Sequence, residues 1–217
     1  MRKLLPLLTI LGVILCGARV QAASLESYFP LKEGMVWEFQ YKIFELNSPK
    51  EIETAKSVKK NFPLMNIKGT KAIPQEFSYY QPRNVLKHEV TSFIAKDKTG
   101  FFVIARQSSK DKEPQILPDK FYILRSPVIK GDTWKQIAEG FILQDTVLAT
   151  DGAVRVPAGQ ANHCIVIRRH YFDRQDLETP FQETTFWYAP NVGNVKVVTK
   201  NFRENKEIVQ ELISFQK

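Results

Sequence analysis

Apolar and polar residues alternate along much of the chain, with the two-residue period of a half-buried β-strand. Residues 37–43 keep this alternation for seven positions. Residues 85–96 and 101–107 are two further β-rich runs, and a short turn that ends at Gly100 joins them. Two such runs around a short turn with glycine predict a β-hairpin.

Two stretches of the first half lack this pattern. Residues 47–61 are polar and rich in lysine, and residues 108–118 are charged and bounded by proline. Both stretches are predicted to be loops, because polar clusters between periodic segments are typical of loops. The strand at residues 37–43 is therefore expected to pair with a strand near residues 66–73.

The second half of the chain is β-rich at shorter spacing. Its predicted strands are residues 141–149, 154–156, 164–172, 181–189, 195–202 and 207–215. The first two are separated by Asp151 and Gly152, a pair typical of turns. About ten strands at short spacing, with no convincing helix after residue 22, predict an all-β fold: an antiparallel meander in a single domain over residues 23–217.

Aromatic residues occupy both faces of the predicted strand at residues 181–189. Phe186 and Tyr188 fall on one face, and Phe181 and Trp187 fall on the other. A sheet with one wet face would not carry aromatics on both sides, so we expect part of the sheet to be covered on both, by a second sheet, a loop or an apolar ligand. A sheet curved into a barrel, a half-barrel or a sandwich fits these alternatives.

The same strand supplies candidate ligand-binding residues. Phe186, Trp187 and Tyr188 are placed to line a lipid or sugar site at the mouth of a barrel. Core residues would show the same pattern, so both interpretations stay open. Arg169 is a further candidate, since arginine beside aromatics can grip an anionic head group or a glycan carboxylate. Cross-strand salt bridging on the wet face is the alternative for Arg169.

Residues 1–22 have the features of a secretory signal peptide. Arg2 and Lys3 precede an apolar run of 13 residues, and small residues precede a predicted cleavage site after Ala22. The run is shorter than the ~20 apolar residues that span a bilayer. We therefore expect an exported protein, periplasmic or associated with the cell envelope. In the alternative, Cys16 becomes the lipidated first residue of a lipoprotein.

Charge and composition narrow the range of partners. The formal net charge is +8, and cleavage would remove Arg2, Lys3 and Arg19, so the mature chain is only modestly basic. Its excess charge suits anionic lipid head groups or acidic envelope polymers, or is merely solvated. Export argues against nucleic acid as a partner. A hydrophobic content of 43% argues against disorder.

Few residues carry a pattern of catalysis or metal binding. Cys164 is the single cysteine after residue 22, so the mature chain has no internal disulfide. His163 would face the opposite side of a strand, and His170 would lie about 20 Å from Cys164, whereas a catalytic pair needs roughly 3 Å. The histidines lack metal-ligand spacing, and no glycine-rich phosphate loop occurs. The sequence predicts no catalytic residues, no metal and no cofactor.

A short motif occurs twice, as PLKEGMVW and as PVIKGDTW. Proline, glycine and tryptophan keep their spacing in the two copies, at Pro30, Gly34, Trp37, Pro127, Gly131 and Trp134. Proline restricts the backbone before a strand, and glycine permits the positive φ of a tight turn. We interpret the motif as a structural corner at which a strand begins, with the tryptophan as an apolar plug of the core, and not as a ligand site used twice.

Three short motifs resemble a family of uncharacterised bacterial proteins. They are PLKEGMVW, VPAG at residues 156–159 and WYAPNVGNV at residues 187–195. Proteins of this family are exported or lipid-anchored and carry the runs PLxxGxxW, VPAG and WYAPxVGxV. The resemblance implies a β-rich envelope protein without established catalytic residues. Asn191 and Asn194 stand where such proteins often have Gly and Leu, which puts the conformation of this turn in question.

These features together predict a non-catalytic, exported envelope protein whose curved sheet binds an apolar or amphipathic molecule. Two alternatives stay open. An interaction module with a filled core would contact an envelope protein through exposed sheet edges. A hydrolase of envelope polymers would need two carboxylates about 5 to 9.5 Å apart across a cleft, for which the acids between residues 173 and 183 are candidates.

Overall fold

The structure is a computed structural model that describes residues 24–81, 85–138 and 140–217. The predicted signal peptide at residues 1–22 and the alternative anchor Cys16 lie outside the described residues. The elements in chain order are α1 (Leu25–Tyr28), β1 (Val36–Glu45), β2 (Glu51–Asn61), β3 (Met65–Ile67), β4 (Thr70–Gln81), β5 (Val85–Lys96), β6 (Gly100–Ser108), β7 (Gln115–Arg125), β8 (Thr133–Ala138), β9 (Phe141–Val156), β10 (Gly159–Phe172), β11 (Gln182–Ala189), β12 (Gly193–Asn201) and β13 (Lys206–Gln216).

The strands form one antiparallel sheet in the order β7-β6-β5-β4-β2-β1-β13-β12-β11-β10-β9-β8, and β3 pairs with β4 beside this path. Most neighbours in the sheet are also neighbours in the chain, as in a meander. The exceptions are the pairing of β2 with β4, which skips the short β3, and the pairing of β1 with β13. The sheet curls until its edge strands β7 and β8 come into contact, which makes a nearly closed barrel. The predicted all-β, antiparallel fold is confirmed, with more strands than the sequence indicated.

The loop prediction for residues 47–61 is wrong for most of its length, because residues 51–61 form β2. Strand β1 pairs with β2 and with β13, and not with residues 66–73. Strand β2 cannot be recognised from the sequence, because its buried positions carry small or polar side chains, namely Ala55, Ser57 and Asn61. A strand without apolar alternation gives no periodic signal.

The register of the strands separates an inner face of the barrel from an outer face. Residues directly opposite each other in an antiparallel sheet lie on the same face. One row of opposed residues runs from β1 to β9 through Tyr41, Gln210, Val197, Phe186, Ile167 and Val147. This row marks the inner face, because Ile167 packs in a core cluster with Tyr28 and Phe29, at the end of the short helix.

The core at one end of the barrel is built around residues 24–31, which we call the plug segment. It contains α1 and packs between strands from opposite walls. The buried residues of this cluster are Tyr28, Phe29, Ile94, Phe101, Val103, Leu124, Ile165, Ile167 and Tyr188. Because Ile94, Phe101 and Val103 come from β5 and β6, and Ile165, Ile167 and Tyr188 from β10 and β11, the plug segment joins the two walls.

Both copies of the repeated motif lie just before a strand. Gly34 and Gly131 have φ angles of 79° and 91°, in the left-handed region, and open space surrounds the position of a Cβ atom. Backbone conformation, and not crowding, therefore favours glycine at both positions. Trp37 is buried and donates its Nε1–H to the Val192 carbonyl oxygen at 2.6 Å. Trp134 packs against the plug-segment cluster, and its buried Nε1 has no hydrogen-bond partner within the described residues.

Candidate ligand-binding site

A cavity of about 750 Å³ opens at the end of the barrel that contains the plug segment. It lies between the plug segment and the neighbouring ends of β4, β5 and β6. Its apolar walls include Phe29, Leu31, Leu64, Ile73, Ile94 and Phe101. The volume is within the range of roughly 300–1,000 Å³ that small-molecule sites occupy. We call this space the outer cavity.

Phe29 separates the outer cavity from the packed core. Its ring lies 5.1 Å from the ring of Phe101 and 6.2 Å from the ring of Tyr188, measured between centroids. Both rings are tilted against it, which is a favourable arrangement for aromatic pairs. Phe29 thus presents one side to the outer cavity and the other to the core.

The turn between β11 and β12 fixes the position of the plug segment. The backbone N–H of Asn191 donates to the Ser27 carbonyl oxygen at 2.6 Å. A Cβ atom on Gly193 would stand 3.2 Å from Cδ of Pro30, so a side chain there would push the plug segment away. The WYAPNVGNV motif therefore includes the turn that anchors the plug segment.

The rim of the outer cavity is positively charged. Lys32, Lys71, Lys96 and Lys217 border the cavity, together with one acid, Glu26. Glu26 forms an ion pair with Lys96. The other three lysines have no ion pair within the part of the chain that the structure describes. This rim would attract an anionic ligand.

A second, narrow cavity of about 20 Å³ adjoins the outer cavity, and we call it the inner cavity. Phe29 and Pro30 border both spaces. The polar residues that line the inner cavity are Lys59, Gln75 and Asn194. These residues carry no signal in the sequence. Lys59 lies in the polar stretch at residues 47–61, and Gln75 and Asn194 carry no binding motif of their own.

Arg169, a predicted ligand-binding residue, lies buried on the inner face at the far side of the core. Its Nε and Nη2 donate to the Asp145 carboxylate at 2.8 and 3.2 Å, and Nη2 also donates to the Tyr122 carbonyl oxygen at 3.1 Å. Burial opposes the charge of Arg169, but the Asp145 carboxylate outweighs it and raises the pKa of the guanidinium. The guanidinium also lies 4.7 Å from the Phe121 ring and 5.5 Å from the Phe186 ring.

The structure brings three of the four predicted ligand contacts together. Phe186 stacks on Tyr188 with ring centroids 6.1 Å apart, and both share the inner face with Arg169. Trp187 points to the opposite face, where Lys196 lies 6.0 Å from its ring. None of the four residues lines the outer or the inner cavity. Tyr188 belongs to the core, and a ligand role for this set stays a prediction.

Cys164, His163 and His170 do not form a nucleophile and base pair. Cys164 is fully buried, and burial raises the pKa of its thiol to about 11, so the thiol stays neutral. His163 contacts Asp151 at 2.6 Å, and His170 contacts Glu183 at 2.9 Å. Over residues 24–81, 85–138 and 140–217, no three His, Cys, Asp or Glu side chains are grouped to hold a metal ion.

Acids between residues 173 and 183 hold the loop before β11 in place. Asp173 forms an ion pair with Arg203. Asp176 accepts the backbone N–H groups of Glu178 and Thr179 at 3.0 and 3.1 Å, which lowers the pKa of its carboxyl. These contacts are those of a stabilised turn. In the described ranges, no helix has the length and apolar character of a membrane-spanning segment.

Comparison with known proteins identifies the fold. No protein-family profile and no curated protein sequence matches the chain. A candidate exported protein with a YmcC-like fold from Bacteroides fragilis has a TM-score of 0.53 at 14% identity, covering 87% of this chain and 98% of the other. A candidate lipoprotein from Parabacteroides distasonis has a TM-score of 0.50 at 12% identity, with coverage of 87% and 98%.

A third solved structure extends this likeness. A β-barrel-like protein with a domain of unknown function from Brucella abortus has a TM-score of 0.50 at 9% identity, covering 85% of this chain and 97% of the other. At such identities the likeness concerns the fold alone. The chain therefore shares a curved, nearly complete antiparallel barrel with these three proteins.

Proposed function

We propose that the protein is a non-catalytic, exported protein of the cell envelope that binds an anionic amphiphile. The observation that carries this proposal is the outer cavity, which combines apolar walls with a lysine rim. An acyl chain would lie against Phe29, Ile94 and Phe101, because these side chains form the wall nearest to the core. The positive rim would draw anionic molecules to the opening.

Exposure of apolar side chains at the opening supports this proposal. Leu64 lines the outer cavity and is 55% exposed, and the adjacent Met65 is 46% exposed. Burying apolar surface contributes roughly 25 cal/mol for each Å² that is removed from water. An acyl chain in the cavity would cover part of this surface, which favours binding of an apolar chain over binding of a fully polar molecule.

An envelope location has its own support. Residues 1–22 have the composition of a signal peptide, and the three motifs resemble exported or lipid-anchored proteins. Two solved structures with the same fold are named as a candidate exported protein and a candidate lipoprotein. The alternative of a lipid anchor at Cys16 also belongs to this location. The continuous sheet supports one domain over residues 23–217.

A non-catalytic role is supported by the partners of the reactive side chains. The thiol of Cys164 is buried and neutral, and His163 and His170 each pair with a carboxylate away from it. The acids before β11 that have partners serve the turn, as described for Asp173 and Asp176. Neither arrangement resembles a nucleophile held by a general base.

Ligand uptake tests the proposal directly. Native mass spectrometry after gentle purification should show co-purified lipid, and delipidated protein should take up the fluorescent fatty acid cis-parinaric acid. Leu64→Asp should weaken uptake roughly tenfold, because it places a charge on the apolar wall. Leu177→Asp is the matched control, since Leu177 is 51% exposed and does not line the cavity. A protein free of lipid that takes up no fatty acid would contradict the proposal.

An interaction module is the second candidate function, and apolar side chains exposed on the two edge strands favour it. Ile116 on β7 and Ile137 on β8 are 42% and 51% exposed, on the two strands that end the sheet. Sheet edges of this kind pair with extended segments of partner proteins. This alternative predicts a partner recovered by crosslinking in the envelope, and loss of that partner in Ile116→Lys.

A further inference from the structure

Lys59 lies on the inner face of the barrel. It stands opposite Trp37 of β1 and Phe77 of β4. Its Nζ is 5.2 Å from the centroid of the Phe39 ring. Lys59 is half-buried, and its neighbours Trp37 and Phe39 are buried core residues, so its ammonium group lies beside apolar side chains.

The ammonium group of Lys59 has no acidic partner. Within the described residues it makes no hydrogen bond and no ion pair. Lysines on the other face of the sheet are paired, since Lys56 contacts Glu38 at 2.8 Å and Lys196 contacts Glu211 at 2.7 Å. Desolvation lowers the pKa of Lys59 to about 8. A desolvated cation without a partner destabilises a fold, and a bound negative charge would offset that cost.

A second polar group without a partner lies on a residue that lines the same cavity. The Nδ2 of Asn194 donates to the carbonyl oxygens of Trp187 and Lys196 at 3.3 and 3.2 Å, which fixes the orientation of the amide. The Oδ1 of Asn194 is buried and accepts no hydrogen bond from the described residues. Asn194 and Lys59 both line the inner cavity. The cavity therefore offers one cation, Lys59, beside an amide whose orientation is fixed.

We propose that the inner cavity binds the carboxylate of a long-chain fatty acid, with Lys59 as its counter-ion and the acyl chain in the outer cavity. This assignment rests on the proposed function, and it fixes the orientation of the ligand as head group inward. Phe29 and Pro30 border both cavities, so the chain would run past them from one space to the other.

The size of the inner cavity selects the head group. Its volume of about 20 Å³ suits a carboxylate oxygen or a water, whereas a phosphodiester head group needs much more space. A carboxylate accepts hydrogen bonds and does not donate them. It would therefore pair with the ammonium group of Lys59, which donates.

Binding of a fatty acid and of its uncharged ester is compared in the native protein and in two lysine variants. This comparison distinguishes the site at Lys59 from the lysine rim. Titration with cis-parinaric acid and with its methyl ester compares the same chain with and without a charge. We expect the native protein to bind the acid roughly tenfold more tightly than the ester. Lys59→Met should abolish this preference. Lys60→Met, on the same strand at an exposed position, should keep it.

Each outcome decides between the two proposals. Lys59→Arg should keep the preference, because it keeps the charge. An undiminished preference in Lys59→Met would overturn the carboxylate site, while uptake of both ligands would still support the outer cavity. Absence of uptake by the native protein would overturn both proposals. Circular dichroism checks that each variant folds. If Lys59→Met does not fold, Lys59→Gln takes its place, and its affinities for the acid and the ester are compared in the same way.

Discussion

The side-chain amide of Gln136 takes the place of a backbone peptide opposite Tyr122. Its Oε1 accepts the Tyr122 N–H at 2.8 Å, and its Nε2 donates to the Tyr122 carbonyl oxygen at 2.9 Å. Gln136 belongs to β8 and Tyr122 to β7, the two edge strands of the sheet. A glutamine side chain thus closes the seam of the barrel.

Removal of this amide should loosen the seam. Gln136→Leu is expected to lower the free energy of unfolding by about 1–3 kcal/mol, because it leaves the Tyr122 N–H without its acceptor and removes one of the donors to Asp145. Urea denaturation measures the change. Gln160→Leu is the control, since Gln160 is exposed and bonds Asn162 at 3.3 Å. Equal midpoints for the two variants would refute a role for Gln136 in closure.

The buried pair of Arg169 and Asp145 predicts a strong asymmetry between single and double variants. Arg169→Met should destabilise the protein by roughly 3–5 kcal/mol, because Asp145 is then buried without a counter-ion. Combining it with Asp145→Leu should recover much of the loss. Thermal melting of the three variants measures this coupling. If Arg169→Met kept its stability but lost amphiphile binding, Arg169 would be a ligand-binding residue, as the sequence predicted.

Lys59 should make the stability of the protein depend on pH in the alkaline range. Its pKa falls from 10.5 in the unfolded chain to about 8 in the fold. Between these values the unfolded chain binds a proton that the folded chain does not, so stability rises with pH across the window. Below it both states are protonated, and the full cost of the buried charge is present.

Lys59→Met should flatten this rise, which urea denaturation across the window measures. The difference between native protein and variant isolates Lys59 from the tyrosines. Burial raises the pKa values of Tyr79 and Tyr188, so their contribution is present below pH 10 and is lost above it. A native protein that gains no stability relative to Lys59→Met as the pH rises would show that the ammonium is not desolvated.

Trp134 tests the interpretation of the repeated motif. Trp134→Ala should lower the melting temperature sharply, since truncating a packed tryptophan costs roughly 3 kcal/mol or more. Phe202→Ala removes an aromatic that is 44% exposed and serves as the control. An unchanged melting curve together with lost ligand binding would make the motif a ligand site.

The intact mass of the exported protein distinguishes cleavage after Ala22 from lipidation at Cys16. Cleavage after Ala22 gives an exported chain that begins at Ala23 and carries no lipid. Acylation would instead give a chain that begins at Cys16 with the added mass of its acyl groups. Intact mass measurement of the exported protein decides between them, and Cys16→Ser should leave the mass of the mature protein unchanged in the first case.

Strands that alternate or cluster apolar residues could be predicted from the sequence. Residues 37–43 lie within β1, and residues 85–96 coincide with β5. The turn predicted at Asp151 and Gly152 does not occur, because β9 continues through it. A Cβ atom on Gly152 would stand 2.7 Å from Cγ2 of Val166, so this glycine serves close packing. Sequence patterns do not separate these two uses of glycine.

The site depends on features that have no local pattern. Helix α1 has four residues, fewer than a periodic pattern needs. The register of β2 decides the surroundings of Lys59, because it places this residue opposite Trp37 and Phe77. Arg169 meets Asp145 across 24 residues of sequence, and no spacing rule predicts that pair. Pairing partners and curvature are set by the whole sheet, so the cavities appear only in three dimensions.

The pairing of β1 with β13 has a consequence for the order of events during folding. Val36 stands opposite Gln216, so the first and last strands meet in the middle of the sheet. Hairpins between adjacent strands can form early, but contacts between such distant parts of a chain form slowly. If the chain crosses a membrane from its N-terminus, the barrel cannot be completed until the last strand has crossed. Until then β1 lacks its partner β13, and the sheet stays open at its middle.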